Sequence, residues 1–190
     1  MAWILAGSSG SGSGSGSSTI RYNQETDMIQ ILGTNGTWYD WAVGELSMVS
    51  LIPTMTSNTA PSGTCTSSGT NGSCQPYAAF DGNSTNEGWV SSEITDKWVK
   101  YQFNAMVKIK KVVVTMMHQG TNLNFRLYSA DSSNKETQIY YEGITTVAGA
   151  YFTRTFEFND PVETYAIKVH GNSDSAYRFC VKEVTCYGYK

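Results

Sequence analysis

The chain has 190 residues, 40% hydrophobic and 13% aromatic, which suits one folded domain of ordinary size with attachments. Only 15% of residues are charged and the formal net charge is -3, which argues against a nucleic-acid partner, because phosphate binding draws on clustered Lys and Arg. No run approaches the ~18 apolar residues of a membrane-crossing helix, and the apolar stretch at residues 2 to 6 is shorter than the ~7 to 15 residues of a secretory signal core.

Residues 1 to 6, MAWILA, are apolar, and residues 7 to 18 are Gly and Ser alone. Such a composition buries nothing and behaves as a coil spanning about 20 Å. Two readings stay open: an added linker, or a native tether that lets MAWILA dock on a larger particle. Residues 19 to 50 read as a small β appendage, a hairpin or meander. Ile29 and Ile31 alternate with Gln30, and Asn35-Gly36 supplies a turn ahead of Trp38 and Trp41. Two strands alone are marginal in water, so this piece is expected to pack on the main domain or to self-associate.

Residues 51 to 190 read as strands throughout. WVKYQF (98 to 103) sets Val99, Tyr101 and Phe103 against Trp98, Lys100 and Gln102, and KIKKVVVTMM (108 to 117) is β-branched and apolar. FRLYSA (125 to 130), TQIYYEG (137 to 143), YFTRTFEF (151 to 158), TYAIKVHG (164 to 171) and RFCVKEVTCYG (178 to 188) follow, separated by Gly, Asn, Asp and Ser. None carries a helical period. About eight short strands at regular spacing point to a sandwich or jelly roll. Lys108, Lys110 and Lys111 fit the solvated face of a strand better than a basic patch.

Three segments share a pattern: AAFDGNSTNEGW (78 to 89), WVKYQF, and the terminal AYRFCVKEVTCYG (176 to 188). Together they resemble the discoidin, or factor 5/8 type C, domain, whose fold is shared with family 32 carbohydrate-binding modules. The resemblance covers roughly residues 53 to 189. It implies an all-β, galactose-binding-like jelly-roll sandwich, here with a short N-terminal β-hairpin appendage. The DMIQI and NGTWYDW segments are similar to short modules of bacteriophage tail and head-fibre proteins. LIPTMTSNTAPSG (51 to 63) resembles the approach to discoidin domains in phage proteins of Gram-positive hosts. These likenesses imply a non-catalytic module of a virion or extracellular protein that binds glycans as a homo-oligomer, with residues 1 to 50 meeting other virion proteins. A purely structural virion module and the ancillary module of a secreted glycosidase are the alternatives.

No enzyme is expected. The two histidines, His118 and His170, belong to neither an HExxH nor a GxSxG motif. The resemblance implies a structural Ca2+ held by Asp81, Asn83, Thr85 and Glu183, all hard oxygen donors; the alternative is an ion-free Asx turn. Cys65 and Cys74 flank TSSGTNGS, which has no apolar residue to pin it, so a disulfide closing ten residues is expected there. The loop-entropy model gives such a bridge about 2.7 kcal/mol. Cys180 and Cys186, on one strand, are expected to share a face about 20 Å apart and to stay free thiols.

In the resembled family, ligands bind at loops on one end of the barrel, here residues 61 to 76, 86 to 97, 118 to 124 and 171 to 177. These supply His118, Gln119, Asn122, Asn124, Asn172, Asp174 and Tyr177, with Arg126 nearby. Planar amides, an imidazole and an aromatic face suit sugar hydroxyls and the apolar face of a pyranose. Trp89 and Trp98 are expected in the core. Membrane insertion is not expected, because residues 61 to 76 contain no Leu, Phe, Trp or Met.

Overall fold

Alternating apolar and polar residues punctuated by Gly, Asn and Asp build antiparallel sheets with a single short 3-10 turn among the described residues. The computed structural model describes residues 20–23, 28–32, 34–41, 48–92, 96–172 and 177–189; Asp174 and the leader at residues 1 to 18 lie outside these. The chain divides into two units, Met1–Leu46 and Ser47–Lys190.

In the first unit, β1 (Ile20–Asn23), β2 (Met28–Leu32) and β3 (Trp38–Trp41) pair antiparallel in chain order, a three-stranded meander, one of the two forms the sequence suggested. Its second turn is the anticipated one. Gly36 takes a φ of 77°, and the Thr37 amide donates to Asn35 Oδ1 at 3.0 Å.

The second unit begins at Ser47, and its first strand, β4 (Val49–Ser50), pairs with the last strand, Ser50 opposite Tyr187. Then come β5 (Thr64–Ser67), the 3-10 turn Pro76–Ala79, β6 (Trp89–Val90), β7 (Lys97–His118), β8 (Asn122–Ala130), β9 (Glu136–Thr145), β10 (Tyr151–Asn172) and β11 (Phe179–Tyr189).

β7 and β10 each join two segments that read as separate strands in the sequence. Each runs down one sheet, bends, and returns in the other. The β7 bend lies at the exposed residues Asn104, Ala105 and Met106. The β10 bend lies between Glu157 and Val162, where the register shifts around Pro161, a residue without an amide donor. A second shift, between Thr164 and Ala166, is stabilised by the buried Thr164 hydroxyl, which accepts from the amides of Ala130 and Ala166 at 2.9 and 3.1 Å. The first sheet therefore runs β5, residues 97–102 of β7, residues 166–172 of β10, β8, β9. The second holds residues 151–164 of β10, residues 107–118 of β7, β11, and the short β4 and β6.

One apolar core fills the space between them. Val99, Tyr101, Phe125, Leu127, Ile167 and Val169 from the first sheet meet Val112, Val114, Met116, Phe156, Val184 and Cys186 from the second. Phe125 stacks on Phe156 with centroids 5.0 Å apart and planes within 6°. Trp89 belongs to this core, edge-on to Phe179, as expected. Trp98 does not. It lies half-buried on the outer side of the first sheet, because the period-two alternation that sends Val99 inward sends Trp98 outward.

Cys180 and Cys186 are both buried free thiols, but they do not share a face. A bulge between Val181 and Glu183 resets the alternation, so Cys186 opposes Val112 in the core while Cys180 opposes Met117 on the other side. The Cys65–Cys74 disulfide is not formed either; both are free. Pairing of β5 with β7 turns Cys65 into the core, where burial pushes its thiol up to about 12, while the Cys74 thiol faces the Glu87 carboxylate at 4.0 Å. Backbone bonds pin the loop instead: Asn71 donates to the Val90 carbonyl at 2.9 Å, and Ser68 donates to that of Trp98 at 3.0 Å.

Candidate functional site

Because β7 and β10 double back, both ends of each lie at one end of the unit. There Lys97 opens β7 and His118 closes it, close enough that the lysine charge acts on the imidazole. The turn after His118 is fixed by hydrogen bonds: the Gly149 amide donates to the His118 carbonyl at 2.9 Å, the Gln119 amide to that of Arg178 at 3.1 Å, and the Thr146 side-chain hydroxyl to that of Gly120 at 2.7 Å. The Gln119 side chain accepts from the Arg178 amide at 3.1 Å, clipping this turn to the start of β11.

His118 itself is only 1% exposed. Its Nδ1 accepts the Gly120 amide proton at 3.2 Å, which leaves the ring proton on Nε2, buried and without a partner among the described residues. Burial holds this imidazole below the usual histidine range, and the Lys97 charge adds to the effect. Tyr177 packs edge-on above it, centroids 6.1 Å apart, with 49% of its surface exposed. The solvent-facing ring here is therefore the tyrosine, not the imidazole beneath it. Gly120 is required between them, since a Cβ there would meet His118 Cε1 and Tyr177 Cδ2, both at 2.7 Å. Beside this cluster a polar cavity of about 120 Å³ is lined by Asn71, Glu87, Gln119, Tyr151 and Arg178 among others.

The sequence-selected ligand residues fall into two groups. His118, Gln119 and Tyr177 meet at the loop end. Asn122 is exposed at the start of β8, opposite Thr145. Asn124, Arg126 and Asn172 belong to the outer side of the first sheet: Asn172 opposes Asn124, and Arg126 lies over the Tyr141 ring at 5.3 Å. Asp174 lies outside the described residues. Sequence reading missed Lys97, Thr146, Tyr151 and Arg178. The available signal was position, since all four sit at or beside strand ends that converge only when β7 and β10 are seen to fold back.

The 81–88 loop is a chain of local bonds. Asp81 Oδ1 accepts from the Asn83 amide at 2.8 Å and Oδ2 from Asn86 Nδ2 at 2.8 Å, while Asn83 Oδ1 accepts both the amide and the hydroxyl of Thr85. Gly88, at φ 71°, lets the loop return against β11, where a Cβ would meet the Val181 carbonyl oxygen at 2.3 Å. Behind the loop Glu183 accepts the amides of Gly82 and Val184, yet burial and the neighbouring Asp81 charge push its carboxyl up to about 8. Its Oε2 has no partner among the described residues. A cavity of about 100 Å³ bounded by Ser50, Thr54, Gly82 and Glu183 adjoins it. Two neighbouring carboxylates with no paired cation among the described residues, one of them with an orphaned buried oxygen, fit a hard cation. Asn83 and Thr85 satisfy each other, so only Asp81 and Glu183 of the expected set converge.

A family model described as F5/8 type C domain matches residues 62–183. No curated protein sequence matches the chain. Among solved structures, the family 32 carbohydrate-binding module of NanJ from C. perfringens, in complex with galactose, is similar at TM-score 0.55 and 15% identity, covering 66% of this chain and 93% of that one. Chitosan-binding module 1 of a chitosanase/glucanase from Paenibacillus sp. IK-5 aligns at TM-score 0.55 and 20% identity, covering 70% and 98%. The family 32 module of AlyQ, in complex with 4,5-unsaturated mannuronic acid, aligns at 0.50 and 16%, covering 64% and 92%. These likenesses show a carbohydrate-binding-module fold of the family 32 type.

Proposed function

The chain belongs to the F5/8 type C domain family, and from that premise we propose that it is a non-catalytic glycan-binding module that engages sugars at the loop end of its second unit. One observation carries this: the half-exposed Tyr177 ring, held edge-on by buried His118, beside a polar cavity lined by Gln119, Asn71 and Arg178. An aromatic face for the apolar side of a pyranose, flanked by amide and guanidinium groups for its hydroxyls, is the chemistry sugar recognition uses. The solved neighbours that bind galactose, chitosan and unsaturated mannuronic acid support the class of ligand and leave the sugar open. A glycan array with the intact chain tests it. Tyr177→Ala should weaken the strongest hit about tenfold, the loss of roughly 1 to 1.5 kcal/mol of stacking. A folded protein that retains no glycan at all overturns the reading.

What the module anchors has two readings. The chitosan-binding neighbour is derived from a chitosanase/glucanase, which favours an ancillary module of an extracellular glycan-degrading enzyme. The virion reading rests on the likeness of DMIQI (27 to 31), NGTWYDW (35 to 41) and residues 51 to 63 to phage modules, where oligomeric display would raise weak affinities through multivalency. Immunogold labelling of virions against a search for a hydrolase domain in the same gene separates them.

Asp81 and Glu183 would hold a structural Ca2+, whose charge would satisfy the orphaned Glu183 oxygen and tie the 81–88 loop to β11. Millimolar Ca2+ should raise Tm by several degrees, as ligation of the folded state alone requires, and Glu183→Gln should remove that increment. An unchanged Tm across a Ca2+ titration sinks the assignment.

A further inference from the structure

The outer side of the first sheet carries a second cluster that the loop-end reading does not use. Strand register places Trp98, His170, Arg126 and Tyr141 in one row across β7, β10, β8 and β9, and Lys100, Lys168, Tyr128 and Gln138 in the next. With neighbouring strands about 4.8 Å apart, each row spans about 14 Å. Lys168 Nζ lies 4.9 Å from the Trp98 ring, 5.1 Å from that of Tyr128 and 2.7 Å from Glu136, which Lys100 also approaches at 3.7 Å. One carboxylate thus serves two lysines. Arg126 pairs with no carboxylate among the described residues and lies over Tyr141, which is 53% exposed. On a chain of net charge -3, this face gathers three cations against Glu136 and Asp96.

At the centre of the row His170 is only 5% exposed. Its Nε2 meets Asp96 at 2.6 Å, its ring packs edge-on to Tyr128, and its Nδ1 is buried without a partner among the described residues. An orphaned nitrogen between two cations and two aromatic rings is a polar contact that a ligand can complete.

We propose that this face is a second glycan site, for an acidic, uronate-bearing polysaccharide whose sugar rings lie on Trp98 and Tyr128 and whose carboxylates meet Arg126 and Lys168. The proposal rests on the glycan-binding reading above and adds to it a separate surface and a charge class. Rings interleaved with cations at strand spacing suit a chain that alternates apolar pyranose faces with carboxylates. Nucleic acid fits less well, since three cations, two of them already sharing Glu136, are few for a phosphate backbone.

The two histidines are the only ones in the chain and report separately, His118 on the loop end and His170 on the sheet face. Imidazole NMR of the intact chain, titrated with alginate oligomers and with neutral dextran oligomers, should shift His170 with alginate only. Arg126→Gln and Trp98→Ala should each weaken retention in alginate affinity gels about tenfold, with circular dichroism unchanged, and added salt should weaken the wild type. A shift of His118 alone, or retention insensitive to Arg126 and Trp98, overturns the sheet-face site and leaves the glycan reading standing. No response to alginate together with Tyr177-dependent retention of neutral glycans does the same. Retention of no glycan by the array or the gels removes both.

Discussion

The loop end and the outer sheet face each hold one tryptophan and one histidine, and the two pairs are enclosed in different ways. Trp89 and His118 lie where backbone closes in: Gly88, next to Trp89, holds the 81–88 loop against the β11 backbone, and the turn after His118 is bonded to Arg178 and Gly149, with the Tyr177 ring over the imidazole. Trp98 and His170 are covered by side chains, with Lys100 and Lys168 over the indole and Tyr128, Arg126 and Asp96 around the imidazole. Backbone enclosure is costly to open, because buried amides and carbonyls would lose partners. Side-chain enclosure opens by rotamer changes and so suits a surface that exchanges its cover for a ligand.

The largest test of this contrast is Trp89→Ala, which should cost about 3 to 5 kcal/mol in urea unfolding, the range for emptying a packed aromatic site. Next is Gly120→Ala. Its new methyl must displace His118 and Tyr177, so a loss of about 1 to 3 kcal/mol is expected together with loss of Tyr177-dependent binding, while the His170 resonance stays in place. Acidification affects both regions. Burial depresses both imidazoles below the ordinary value of 6.5, so the unfolded chain binds protons that the folded one refuses. Their contribution is complete above the unfolded value and is lost as pH falls through about 6.5 toward the folded values. Across that window the wild type should lose Tm relative to a variant with both histidines replaced by Gln; the raised carboxyl of Glu183 acts in the opposite direction in both proteins, stabilising the fold as pH falls from about 8. Trp98→Ala should have the smallest effect on stability, about 1 kcal/mol or less, because the indole lies outside the core. If Trp98→Ala destabilises as much as Trp89→Ala, the distinction between the two enclosures fails.

Period-two alternation made the inward set legible before any fold was known: Val99, Tyr101 and Phe103 are core residues as their spacing requires. The same rule, applied strictly, would have placed Trp98 outside; the family pattern suggested otherwise and the alternation was right. Bulges were not legible. A single extra residue near Lys182 separates Cys180 from Cys186, and nothing in RFCVKEVTCYG marks it. The bends of β7 and β10 were hidden for a similar reason, since WVKYQF and KIKKVVVTMM, and YFTRTFEF and TYAIKVHG, read as separate strands, while residues 104 to 106 and 159 to 161 are exposed corners in continuous ones. The candidate ligand residues were chosen by loop membership, and the fold gathers His118, Gln119 and Tyr177 of that set at one end of the unit. Asn124 and Asn172, with the neighbouring Arg126, fall by register on another face.

The sequence by itself determined the all-β class, the Asn35-Gly36 turn, the family through AAFDGNSTNEGW and its companion strands, and most of the core, because these follow from local periodicity and turn chemistry. Only the tertiary structure decided which residues face one another. It kept Cys65 from Cys74, brought Glu183 beneath the 81–88 loop, set Lys97 beside His118, and aligned Trp98, His170, Arg126 and Tyr141 in one row. Those proximities depend on pairing register and on where two long strands bend, and both are settled by packing between residues far apart in the chain.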